Sequence, residues 1–107
     1  MLAPAMTTNR DKKFFRTIGH QLNPVVMVGG NGITEAVITE TERALADHEL
    51  IKIRVNAEDK AERVEMLDEV TTRTNAELIQ LVGGIALLYR KAAKPNKALS
   101  NIIRFGQ

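Results

Sequence analysis

Between Pro24 and the glycines at 29–32 the chain runs Val25, Val26, Met27, Val28 without a polar residue, the pattern of a short strand buried on both faces. Upstream, RDKKFFRTIGHQL over residues 10–22 sets Phe14, Phe15, Ile18 and Leu22 at near-helical spacing, which predicts a first helix with Asn9 as its N-cap. Pro24 ends that unit by forcing Asn23 out of helical geometry. Lys12, Arg16 and His20 follow one another at four-residue steps and so share one solvent-facing stripe of the helix.

Beyond GGNG, Ile33, Val37, Ala44, Leu45 and His48 mark one side of a second helix. LIKIRV at 50–55 alternates, with Ile51, Ile53 and Val55 on one face and Lys52 and Arg54 on the other, which predicts a strand with a basic face. From Asp59 to Thr74, Val64, Leu67 and Val70 recur among acidic neighbours and predict a third, acidic-faced helix, with Glu58 and Asp59 at its dipole-favoured start. AELIQLV and IALLYR, separated by Gly83 and Gly84, predict a hairpin. The expected order is therefore α-β-α-β-α-β-β, a single compact α/β domain with a four-stranded mixed sheet. Residues 1–9 are expected to be a disordered leader, in which Met6 is an alternative start, and residues 92–107 a basic tail broken by Pro95. Docking of Ile102, Ile103 and Phe105 on the domain is the other reading of that tail.

A chain of 107 residues suits one hydrophobic core. With no cysteine, disulfides, thiolate-bound zinc and thiol nucleophiles are excluded. The start MLAPAMTTN has neither the positive charge nor the apolar run of a signal peptide, and no stretch of 18 apolar residues occurs, so a cytoplasmic protein with no membrane contact is expected. The net charge is only +2, but it is unevenly spread. Residues 10–28 carry +3, residues 29–89 carry −6 and residues 90–107 carry +5. Two basic ends around an acidic middle point to a polyanion that approaches from one side.

Catalytic chemistry is poorly supplied. His20 and His48 are the only histidines, and no HExxH, GxSxG, Walker or Rossmann pattern occurs. Neither an enzyme, a metal site nor a cofactor is expected. Gly29, Gly30, Asn31 and Gly32 lie between a strand and a helix start, where backbone amides and the helix dipole can hold a phosphate. With four aromatics in all, bases cannot be stacked across the sheet as in an RRM. Backbone recognition, of the kind KH domains perform with a GxxG loop, remains.

These residues resemble a known family. GHQLNPVVMVGGNGITEAVITETERALADHELIKIRV, with GGIALLYR further on, is similar to the CRM domain in its single-domain bacterial YhbY form over about residues 10–91. The resemblance implies a fold similar to the C-terminal domain of translation initiation factor three. It also implies RNA binding without catalysis, with ribosomal RNA or precursors of the large ribosomal subunit as partner and no small-molecule substrate. It places the family's GxxG loop on Gly29–Gly32, its basic first helix on Lys12, Lys13 and Arg16, its HELIKIR strand on His48 to Arg54 and its LYR strand end on Leu88, Tyr89 and Arg90. Lys52, Arg54, Arg90 and Lys91 join the loop and the first helix as the expected RNA-binding residues. Many relatives carry lysine inside the loop and before the last strand, where this chain has Gly30 and Gly84, so weight shifts to the first helix, the second strand and the tail. The competing expectation is a protein-binding adaptor that uses the acidic third helix, and a third is a nucleotide-binding enzyme with the loop on a phosphate.

Overall fold

The computed structural model describes residues 7–106. The elements are α1 (Asn9–Gly19), β1 (Pro24–Val28), α2 (Glu35–His48), β2 (Leu50–Val55), α3 (Lys60–Thr74), β3 (Glu77–Val82), β4 (Ile85–Tyr89) and α4 (Asn101–Phe105). The sheet order is β1-β2-β4-β3, with β1 parallel to β2 and β4 antiparallel to both its neighbours. The mixed four-stranded sheet expected from the sequence is present. The hairpin folds β4 back between β2 and β3, so the crossover through α3 skips one position in the sheet.

Alternation along β2 divides the apolar residues between two cores. Ile51, Ile53 and Val55 join Val26, Val28, Ala86 and Leu88 under Leu45 of α2 and Leu67 and Val70 of α3. Leu50 faces the other way and joins Leu87, Ile79, Phe15 and Ile18, with Ile102 and Phe105 of α4 packed on them. Both faces of the central strands are thus covered. At roughly 1.5–3 kcal/mol for each large side chain removed from water, these two clusters supply the main driving force.

β1 corrects the expectation of a strand buried on both faces. It is an edge strand in which only Val26 and Val28 are buried, while Val25 and Met27 are exposed. The doubly buried run belongs to β4, where Ala86, Leu87 and Leu88 are all enclosed. An unbroken apolar run records low polarity and does not reveal whether a helix covers the second face.

The local signals resolve as follows. Thr8, not Asn9, caps α1: its hydroxyl accepts the Asp11 amide while the Asp11 carboxylate accepts the Thr8 amide, a reciprocal box that a serine or threonine three positions before an acid provides. In the hairpin only Gly83 takes positive φ, at 58°. Gly84 is needed for space instead, since a side chain there would meet the Val55 carbonyl at 3.1 Å. Val64 departs from its expected stripe and is half-exposed, and α3 is anchored by Leu67, Val70 and Thr74.

The segment read as a basic tail is part of the fold. Ser100 caps α4, the Asn101 side chain donates to the Leu50 carbonyl at 2.7 Å, and the Leu99 carbonyl lies 2.8 Å from His48 Nδ1. Of the two readings of this segment, docking is the one the structure shows, because Ile102 and Phe105 close the apolar cluster on α1. Of the expected leader, residues 1–6 lie outside the described residues.

Candidate nucleic-acid interface

Three loops meet at one end of the sheet: Gly29–Gly32 after β1, residues 56–59 after β2, and the Gly83–Gly84 turn before β4. Their backbones are tied together. The Asn56 amide donates to the Val28 carbonyl at 3.0 Å, and the Val55 amide to the Gly84 carbonyl at 2.7 Å.

Within the glycine loop the Gly32 amide closes a turn onto the Gly29 carbonyl at 3.0 Å. Gly32 has φ +71°, so it is glycine for conformational reasons. Gly30 is different: its φ lies outside the left-handed region and a side chain there would meet nothing within 4 Å. Among the described residues, the amides of Gly30 and Asn31 donate to no backbone carbonyl outside regular structure. Helix α2 begins just after the loop, with Thr34 accepting the Val37 amide. Its first-turn Glu35 is held at 2.6 Å by Arg73, whose guanidinium is stabilised in the charged form chiefly by that bond. The loop therefore presents exposed amides at a positive helix end.

One side of the loop is unfavourable for an anion. An open cleft of about 290 Å³ beside Gly29 and Gly30 is lined by Asn56, Ala57, Glu58 and Glu62. The Glu62 carboxylate is fixed there because it accepts the Glu58 amide at 3.1 Å, as part of the cap of α3 in which Asp59 accepts the Glu62 amide at 2.8 Å. A phosphate at the loop is consequently favoured on the opposite side, toward the α1 face of the sheet.

That face carries the basic residues. α1 holds four basic side chains and one acid, whereas residues 35–48 and 58–74, which form the α2/α3 face, hold ten acids and four basic residues. Lys52 and Arg54 point to the α1 side, since they alternate with the core residues Ile51, Ile53 and Val55. Phe14 lies on the flank of α1 against α4, where its ring approaches Gly106. At about 100° per residue, Lys12 and Arg16 stand on the opposite flank, and Lys13 on the outer surface. The structure thus gathers Lys52, Arg54 and the basic α1 residues on one face, bordered by Gly29–Gly32.

Arg90 is set apart from them. Its Nη1 donates to the Glu42 carboxylate at 2.8 Å and to the Thr74 carbonyl at 2.9 Å, while Nη2 donates to the Glu42 carbonyl at 3.3 Å. The guanidinium is a bolt between α2, α3 and the end of β4, so the expectation that it reaches RNA meets a structural role instead. Lys91 beside it is exposed. Among the described residues no cluster of three or more potential metal ligands occurs, and no helix is long and apolar enough to cross a membrane.

Sequence reading missed a strip on the basic face. Met27, Arg54, Ile85 and Val82 stand in register across all four strands in the last row before the loops. Met27 and Val82 are 58% and 63% exposed. The sequence held no signal for it, because β1 is apolar throughout; only the burial of alternate residues and the pairing register reveal that these residues line up.

The CRS1 / YhbY (CRM) domain model matches residues 8–90. The chain belongs to this family. It is similar to the probable RNA-binding protein PA4753 of Pseudomonas aeruginosa, at 50% identity over 98 residues, 92% of this chain and 94% of that one. An RNA-binding protein of Haemophilus influenzae is 44% identical over 87 residues, 79% of this chain and 88% of that protein. The solution structure of the hypothetical protein SAV1595 from Staphylococcus aureus superposes with a TM-score of 0.74 at 28% identity, covering 89% of this chain and 98% of that one. Helix α4 lies outside the span matched by the family model.

Proposed function

We propose that this CRM-domain protein is a cytoplasmic, non-catalytic RNA-binding factor whose target is ribosomal RNA in a precursor of the large ribosomal subunit. The observation that carries the RNA reading is the division of charge by the sheet, with basic residues and loop amides on one face and acids on the other. Such a molecule orients a polyanion before contact and repels it from the wrong side. The relatives named as RNA-binding proteins support the same reading. The non-catalytic reading is supported by the relatives, which are named as RNA-binding proteins and not as enzymes.

The test is sedimentation of a tagged protein in cell extract, with and without ribonuclease. Co-migration with immature large subunits that ribonuclease abolishes is the expected result. A ribonuclease-resistant complex with a basic protein would instead favour an adaptor role for the acidic α3 face.

A further inference from the structure

We propose that the strip formed by Met27, Ile85 and Val82 is a seat for unpaired nucleobases of single-stranded RNA, a reading that rests on the RNA-binding function proposed above and specifies its ligand. The strip is an apolar row left uncovered on the face that α1 and α4 otherwise shield. α1 reaches the sheet one row lower, where Gly19 lies against Leu87. α4 reaches it at Leu50, two rows lower. Among the described residues nothing closes the last row, and its two ends are the most exposed large apolar residues of the sheet.

The surroundings decide the occupant. Arg54 sits inside the row and Lys52 one row below it on the same face. The free amides of Gly30 and Asn31 follow it at the β1 end, and neither the row itself nor the paired row below it, Pro24, Lys52, Leu87 and Gln80, holds an acidic side chain. An apolar surface enclosed by cations and amides suits a ligand with flat, weakly polar faces on an anionic backbone. Single-stranded RNA is such a ligand, whereas a duplex keeps its base faces stacked inside. Because the strip has no aromatic ring, contact is by aliphatic groups and a methionine thioether with the base faces, and sequence tolerance follows. Phe15 and Tyr89 are stacked on each other at 4.4 Å in the cluster under α1, with Tyr89 paired to Leu50 two rows from the strip.

The experiment uses the full chain and three RNA probes of equal length: a single-stranded oligoribonucleotide, the same strand with abasic sites, and a hairpin duplex. The single strand is expected to bind roughly tenfold more tightly than the abasic strand, since only the base faces differ. The double variant Met27→Ser, Val82→Ser is expected to lose that advantage and to keep the affinity for the abasic strand. Both side chains are more than half exposed, so an unchanged melting temperature is expected, and Met27→Leu should retain the preference. Equal binding of base-bearing and abasic strands by the parent overturns the base seat while leaving phosphate-based RNA binding intact. Failure to bind any of the three probes overturns the RNA-binding reading itself. A parent that ignores the bases but dimerises in sedimentation, with the double variant monomeric, overturns the base seat in favour of a second copy as occupant.

Discussion

Ser100 donates its hydroxyl hydrogen to the Glu49 carboxylate across 2.7 Å, with both residues buried. Glu49 is also the residue at which α2 ends, with φ 63°, and its second oxygen accepts the Ala92 amide at 2.8 Å. The strained corner between α2 and β2 is therefore joined to both ends of the segment that leads to α4.

Ser100→Ala removes a donor from a buried carboxylate and the cap from α4. The expected cost is about 1–3 kcal/mol, or a melting temperature lower by roughly 4–8 °C for each kcal/mol in a domain of this size. RNA affinity at low temperature should be unchanged. Thermal denaturation with a parallel binding titration checks both parts, and an unaltered melting temperature would show that the segment is not held through this bond.

Arg90 offers the complementary case. Arg90→Lys keeps the positive charge but cannot reach the Glu42 carboxylate and the Thr74 carbonyl together, because the planar fork is lost. With the pair partly exposed, the expected destabilisation is about 1–2 kcal/mol. RNA affinity should change less than it does for the triple replacement of Lys12, Lys13 and Arg16 by glutamine. Affinities measured well below both melting temperatures make the comparison, and a larger loss for Arg90→Lys would return Arg90 to the binding surface.

The contrast between Arg90 and Arg54 explains how far sequence reading carried. Periodicity and the glycine pair were sufficient for the strands, helices and hairpin, because each rests on spacing within a few residues. Whether an arginine is free or bolted depends on partners 16 and 48 positions away, which no local pattern encodes. The same holds for β1, whose exposure follows from its place at the sheet edge, and for residues 100–105, whose docking depends on Glu49 and Leu50. The loop was legible as a turn at a helix start, but the carboxylates that close one side of it come from the cap of α3.

Tyr89 predicts a pH effect. Burial, followed by the carboxylates of Glu49, Asp11 and Glu77, pushes its phenol above its ordinary value. In the unfolded chain the phenol loses its proton first, so deprotonation favours unfolding. The contribution is fully present below about pH 10 and is lost as pH rises from there through the folded-state value. Tyr89→Phe retains the stack on Phe15 and lacks the titration. The difference in melting temperature between variant and parent should be constant up to about pH 9 and then shift in favour of the variant. Parallel curves to pH 11 would contradict the assignment.

The glycine loop provides the most direct test of phosphate binding. Gly32 is a poor probe, since φ +71° strains any side chain and would mix folding with affinity. Asn31→Asp is nearly isosteric at an exposed position just before α2, where a carboxylate complements the helix dipole. Its melting temperature should equal or slightly exceed that of the parent. If RNA phosphate lies against the loop, the new charge should weaken binding by roughly two- to fivefold at low salt, the range of a single exposed charge interaction. Gly30→Lys makes the opposite change, at a site where the backbone is not left-handed and the space is open. It should strengthen binding by a similar factor and steepen the salt dependence by about 0.7 in log–log slope, the increment for one further phosphate on a single strand. Titrations at several salt concentrations, with melting temperatures for each variant, give the result. A stable Asn31→Asp protein with unchanged affinity, together with a Gly30→Lys protein of unchanged salt slope, would remove the loop from the interface and leave RNA binding to α1 and β2.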